Sequence, residues 1–281
     1  MKKIIALLMM LVLATAVLAS CGSAANKQSV DAIKKNGELI VYTNAEFPPF
    51  EYMSEGKPVG VDMDIAKAIA DELGVKLTIE NVKFDTIISS VQSGKASMGA
   101  AGITVTDERK ESVDFSISYT TSTQYVILPA DVEFANITSL KGMKIGVQLG
   151  TTGDFIMSDE VKGYKDDDGK DVKGLLQDTG AEVIPYNNAN LAAEALKSGK
   201  IQAVVIDKLP AELIAKNSGE TLKAIELVYE DGSNTAEEYA ICVAKGNDTL
   251  LEVVNKVIKN LIDEGKIDSF IVEHTTNALA D

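Results

Sequence analysis

Beyond its first twenty residues the chain alternates two hydrophobic rhythms. Short apolar runs of strand length (ELIVYTN, KLTIENV, SMGAAGIT, MKIGVQLG, AEVIPY and IQAVVID) are separated by segments whose apolar residues recur every three or four positions. In DMDIAKAIADELG, the residues Ile65, Ile69 and Leu73 share one helical face and Gly74 is placed to stop the helix. DTIISSVQSGK and NLAAEALKSGK also read as helices. DTLLEVVNKVIKNLIDEGKIDSFIVEH sets Leu250, Val254, Val257, Leu261 and Ile262 at helical spacing, with Gly265 as a break. Alternation of strands and helices predicts mainly parallel sheets. Two helices end alike, in VQSGKASMGAAG and LKSGKIQAVVID, each feeding a strand of small or β-branched residues. A common helix-stop turn explains the short match equally well. The repeated succession around it predicts two similar α/β lobes rather than one long sheet.

The first twenty residues follow a different rule. Lys2 and Lys3 precede an apolar stretch from Ile4 to Leu18, and the small Ala19 and Ser20 stand before Cys21. That is the layout of an export signal; a spanning helix needs about 20 apolar residues. LASC resembles the bacterial lipobox, which implies cleavage before Cys21 and a diacylglycerol on that cysteine, anchoring the chain to the membrane on its extracytoplasmic face. A plain signal peptide or an uncleaved anchor are the alternatives. GSAANKQS is small and polar, as a flexible tether would be.

Composition removes several function classes. With 42 acidic against 27 basic residues the formal net charge is −15, which leaves no basic face for nucleic acid. If Cys21 is lipidated, Cys242 stands alone, and a buried strand thiol is its expected role. His274 is the only histidine, so histidine metal sites and Ser-His or Cys-His catalysis have little material. In KDDDGKD the glycine, Gly169, falls fourth from Asp166 where a calcium loop wants it sixth, so a solvated turn is predicted. No cofactor and no metal are expected.

Ligands of open α/β lobes bind beyond the carboxyl ends of strands. The first strand runs into TNAEFPPFEY, where two prolines keep Phe47 and Phe50 out of helix; Phe50 reads as core, Phe47 as core or ligand cover. Phe84 stands at a similar junction. The third strand ends in AAGITVTDER: Ala101 and Gly102 permit close approach to backbone, Thr104 and Thr106 offer hydroxyls, and Arg109 follows. Arg109 is the only arginine in a chain that otherwise uses lysine. Its guanidinium presents parallel donors matched to a carboxylate, which an ammonium does not. In the second half, QLGTTGD offers amides before a helix start, including those of Thr151 and Thr152, and VVID ends on Asp207, an acid able to pair with an ammonium. An α-amino acid satisfies both ends.

The succession FPPFEY, GVDMDIAKAIADELG, ITVTDERKESVDFS, LKGMKIGVQLGTTGD and AVVID resembles the solute-binding proteins of polar amino-acid ABC importers, the family-3 type of extracellular solute-binding protein, from about Glu38 to about Val272. The resemblance implies the type II periplasmic-binding-protein fold, two α/β lobes joined by two strands. It also implies closure on one amino acid, delivery to an importer's permease, and a monomeric chain. On it, residues 1–20 are the signal, 21–37 the tether, 38–123 the first part of lobe 1, 124–231 lobe 2 and 232–281 the return to lobe 1. It assigns Arg109 to the α-carboxylate, with Thr104 and the backbone around Gly102 and Ala101 beside it and the Thr152 amide opposite. Asp207 goes to the α-ammonium, and Phe47 and Phe84 to the ligand side chain. Gln148 and Thr151 border the second-lobe contacts. Asn44 replaces an acid often found in relatives that bind basic amino acids. Relatives often carry aspartate where this chain has Ser97 and Gln202, positions that precede strands and read as structural.

Two aromatics facing each other hold a flat cation, with Glu46 and Glu51 near enough to meet a positive side chain. Arginine or lysine is therefore the expected ligand; Asn44 keeps glutamine, histidine and cystine open. A dehydratase acting on cyclic acids through Glu46 or Glu51, and the ligand-sensing half of a receptor, are the readings from other classes.

Overall fold

A computed structural model describes residues 24–166 and 168–279; the signal segment and Cys21 lie outside them. The helix Val61–Leu73 buries Val61, Ile65, Ile69 and Leu73 on one face and stops at Gly74, whose φ of 71° is left-handed. The helix Asp248–Asp263 packs against it and buries Leu250, Val254, Val257, Ile258 and Leu261. Ile262, expected on that stripe, is 42% exposed. At 100° per residue it turns away from Leu261, and Ile258 fills the face instead. Gly265 breaks the helix as expected, and a second helix, Lys266–Asn277, follows.

The helices cover two five-stranded sheets built to one plan. In the first, Lys76–Asn81, Glu38–Thr43 and Met98–Gly99 run parallel, then Cys242–Ala244 and Val113–Phe115 complete the edge, Cys242–Ala244 antiparallel to both its neighbours. In the second, Glu182–Tyr186, Lys144–Gln148 and Ala203–Asp207 run parallel, and Gln124–Pro129 lies antiparallel between Ala203–Asp207 and Leu222–Glu226. Each sheet thus takes its fourth strand from chain that has just crossed between lobes. The crossings are Thr120–Ser122 outward and Glu237–Tyr239 on return, paired antiparallel.

The similarity of the two Ser-Gly-Lys turns extends to hydrogen bonding. Gly94 and Gly199 both take positive φ, 74° and 71°. Three residues on, Ser97 Oγ accepts from Ile40 N–H (3.1 Å) and Gln202 Oε1 from Lys144 N–H (2.9 Å), each tying the start of the neighbouring strand. Both positions are therefore structural.

The expected tether departs from its reading. Ala24–Lys27 and Val30–Asn36 are helical, Ser29 caps the second, and Ile33 is buried in the core of lobe 1. Gln28 Nε2 donates to Gly94 O, and Gln28 O accepts from Asn247 Nδ2, so this segment is bonded to the lobe. One buried isoleucine and a cap are enough to dock a stretch whose composition looks like a linker.

Candidate functional site

The cleft between the two sheets gathers residues from the strand ends of both lobes. One pocket there is lined by Phe47, Phe84, Ala101, Gly102, Thr104 and Arg109 from lobe 1 and by Gln148, Thr151, Thr152 and Asp207 from lobe 2. The backbone explains the first set. Gly102 adopts φ 52°, and a Cβ there would meet the Phe47 ring at 2.9 Å. Its amide donates to Asp62 Oδ2 (2.9 Å), and Tyr119 Oη donates to Asp62 Oδ1 (2.7 Å), so a buried acid beneath the pocket fixes the loop. Burial lifts the Asp62 carboxyl to about 6, against the opposing pull of these two donors.

Arg109 lies two residues inside the short helix Asp107–Ser112, capped by Thr106. It is 7% exposed, and burial pulls its pKa below the usual arginine value. Nη1 donates to Thr104 O (2.7 Å) and Nη2 to Gly150 O of lobe 2 (3.0 Å). The guanidinium carbon sits 5.6 Å from the Phe84 ring centre and 6.0 Å from that of Phe155. Phe84 was expected to cover a ligand side chain; it lines the pocket but also stacks on Arg109 itself. Phe155 escaped the sequence reading, its place one turn into a mixed-polarity helix giving no signal.

Opposite, Asp207 ends its strand, 4% exposed. Its pKa is lifted to about 8, first by burial and then by the Glu237 carboxylate, with Tyr239 and Gln124 donors opposing. Tyr239 Oη donates to Asp207 Oδ1 at 2.6 Å. The helix Thr152–Lys162 starts beside it, with Thr151 as cap accepting from Asp154 N–H (3.3 Å). The Gly150 amide, expected to be exposed for an anion, donates to Asp154 Oδ2 instead (2.9 Å), which leaves the first-turn amides of Thr152 and Gly153.

Asn44 and Glu46 stand apart from this lining. Asn44 Oδ1 accepts from Gln148 Nε2 (3.0 Å), placing Asn44 behind Gln148, while Gln148 Oε1 is buried with no hydrogen-bond partner among the described residues. Glu46 lines a separate shallow groove with Asn81 and Lys83. Glu51 is fully buried, neither oxygen finds a partner among the described residues, and burial followed by Asp62 and Asp207 raises its pKa well above the usual range. It does not line the pocket. Phe50, read as core, is 1% exposed and stands edge-on to Tyr239. Cys242 is buried, its thiol pushed up to about 12 by that burial. His274 is bonded to Asp64 and Tyr52. Asp166 Oδ1 accepts from Asp168 and Lys170 amides in a surface turn.

The family model for bacterial extracellular solute-binding proteins, family 3, matches residues 39–276. The chain belongs to that family. Among relatives of this solute-binding protein, the arginine-binding extracellular protein ArtP of Bacillus subtilis is 31% identical over 90% of this chain and 91% of its own. A probable histidine-binding protein of Neisseria gonorrhoeae is 28% identical over 92% of this chain and 90% of its own. The crystal structure of the amino acid ABC transporter substrate-binding protein AbpA of Streptococcus pneumoniae, bound to L-arginine, superposes with a TM-score of 0.78 at 30% identity. It covers 89% of this chain and 99% of AbpA. The solute-binding protein thus has the type II periplasmic-binding fold. Glu237 joins Phe155 as a site-bordering residue missed in the sequence, where AEEY reads as surface charge.

Proposed function

We propose that this protein captures a free α-amino acid between its lobes and hands it to the permease of an ABC importer, and that arginine is the ligand it fits best. The observation that carries the reading is a single pocket lined by one guanidinium, Arg109, from lobe 1 and one carboxylate, Asp207, from lobe 2. An α-carboxylate takes the first and an α-ammonium the second. Arginine fits the remainder: Phe47 and Phe84 offer ring faces, and Gln148 Oε1, buried without a partner, accepts an N–H from a guanidinium. Relatives named for arginine favour the same choice. Their histidine-binding counterpart makes histidine the second candidate, with glutamine and cystine behind it.

The role is binding without turnover. Of the two acids a dehydratase reading could use, Glu51 is sealed away from the pocket and Glu46 lines a separate groove. Cys21 carries the lipid that keeps the protein at the extracytoplasmic face of the cell membrane, where it works as a monomer. Calorimetric titration of the purified protein with the common amino acids tests the function: arginine binds one to one and tightest, and a panel in which none binds below about 100 μM refutes it.

A further inference from the structure

Glu237 lies on the returning interlobe strand, 6% exposed and outside the pocket lining. Its three side-chain hydrogen-bond partners among the described residues all donate to it. Thr104 Oγ1 from lobe 1 (2.5 Å) and Thr152 Oγ1 from lobe 2 (2.7 Å) both reach Oε2, and Gln124 Nε2 reaches Oε1 (2.5 Å). Both Glu237 oxygens are thus used as acceptors, and a hydroxyl owns one proton and two lone pairs. Each threonine therefore spends its only proton on Glu237. The 3.2 Å between the two hydroxyl oxygens is a contact with no proton left to bridge it. Both threonines line the pocket together with Asp207, and with their protons given to Glu237 their hydroxyl oxygens have lone pairs alone to offer.

We propose that Glu237 is a positioning residue that fixes the proton direction of Thr104 and Thr152, turning both hydroxyls into acceptors for the ligand's α-ammonium and so setting which way round the ligand lies. This rests on the amino-acid reading above and adds to it a group that does not touch the ligand. The ammonium has three N–H bonds to place; Asp207 takes one direction, and the two threonine oxygens, one from each lobe, supply the others. A carboxylate placed at that end meets two hydroxyl oxygens that have no proton to offer it. With glutamine at 237, the side chain presents one acceptor and one NH₂ group, so at least one of its three donors loses its place and a threonine hydroxyl is free to turn.

The test pairs Glu237→Gln with ligands trimmed at one end: arginine, agmatine (ammonium without carboxylate) and 5-guanidinopentanoate (carboxylate without ammonium), by competition calorimetry. Expected is a loss of about tenfold or more for arginine and by the same factor for agmatine, as for a misplaced hydrogen bond to a charged group, with 5-guanidinopentanoate unchanged. An equal loss for all three ligands, or none for arginine, overturns the proposal, since a merely structural role does not distinguish them. Should Glu237→Gln fail to fold, Thr104→Val, Thr152→Val and the double variant decide the matter. Their losses are expected to be confined to ammonium-bearing ligands and to be non-additive; additive losses that include 5-guanidinopentanoate overturn it. Failure of the unaltered protein to bind arginine or any other amino acid would instead refute the function, a separate outcome.

Discussion

Arg109 is the chain's only arginine, and its geometry shows why lysine does not serve. Its donors hold Thr104 O in one lobe and Gly150 O in the other while its face meets Phe84. A point ammonium cannot hold this fork and still meet a carboxylate. Arg109→Lys is expected to cost about 1–3 kcal/mol of amino-acid binding with the fold intact, measured by calorimetry and melting; unchanged affinity would remove Arg109 from the site. Asp207 makes a second prediction. With its pKa raised to about 8, it holds a proton at neutral pH in the free protein, and an arriving ammonium stabilises the ionised form. Binding therefore releases a proton, and affinity rises with pH from 6 toward 8, by up to about tenfold per unit. Titrations in buffers of different ionisation enthalpy count that proton; Asp207→Asn should abolish the dependence, and proton uptake would contradict the assignment. Arg109, Asp207 and Thr104 could be picked out of the sequence because each follows an apolar run. Glu237 and Phe155 could not: their roles come from the opposite lobe's approach, which no local pattern encodes.

At the scale of elements, the floor of the site depends on how the helix Val61–Leu73 begins. Its first amides, Val61 N–H and Asp62 N–H, donate to Pro49 O (3.2 Å) and Phe50 O (3.0 Å), docking the helix on the FPPF turn and aiming Asp62 at Gly102. Gly60 makes this possible: at φ 132°, a Cβ there would lie 2.2 Å from Phe50 O. Gly60→Ala is expected to cost about 1–3 kcal/mol of stability, read as a lowered thermal midpoint, and to weaken ligand binding through the displaced loop. An unchanged midpoint would show that the turn yields freely. The strands and long helices were legible because hydrophobic period alone separates them. The strand expected over SMGAAGIT shrinks to Met98–Gly99, since the small residues after it leave the sheet to border the cleft. Glu51 was misplaced because polarity argues exposure, whereas it is fully buried at the start of the strand Glu51–Ser54.

For the whole molecule, the two sheets of like topology and the matched Ser97 and Gln202 ties describe lobes of one design, joined by two strands and facing one cleft. The repeated succession of strands and helices around the Ser-Gly-Lys turns made that duplication visible beforehand; the contact between lobes was not visible, because it depends on side chains far apart in sequence. The proposed lipid anchor on Cys21 has its own test: Cys21→Ser expressed in the native host should move the protein from the membrane fraction to the soluble or secreted one, and unaltered membrane retention would exclude the anchor. The central claim is that the cleft grips an amino acid by its backbone, with Arg109 of lobe 1 on the carboxylate and Asp207 of lobe 2 on the ammonium. A crystal structure of the protein grown with arginine tests it most directly. The account predicts the α-carboxylate on the Arg109 guanidinium, the α-ammonium between Asp207, Thr104 and Thr152, and the ligand's guanidinium toward Phe47 and Gln148. Arginine bound outside the cleft, or turned so that its side-chain guanidinium meets Asp207, would contradict it.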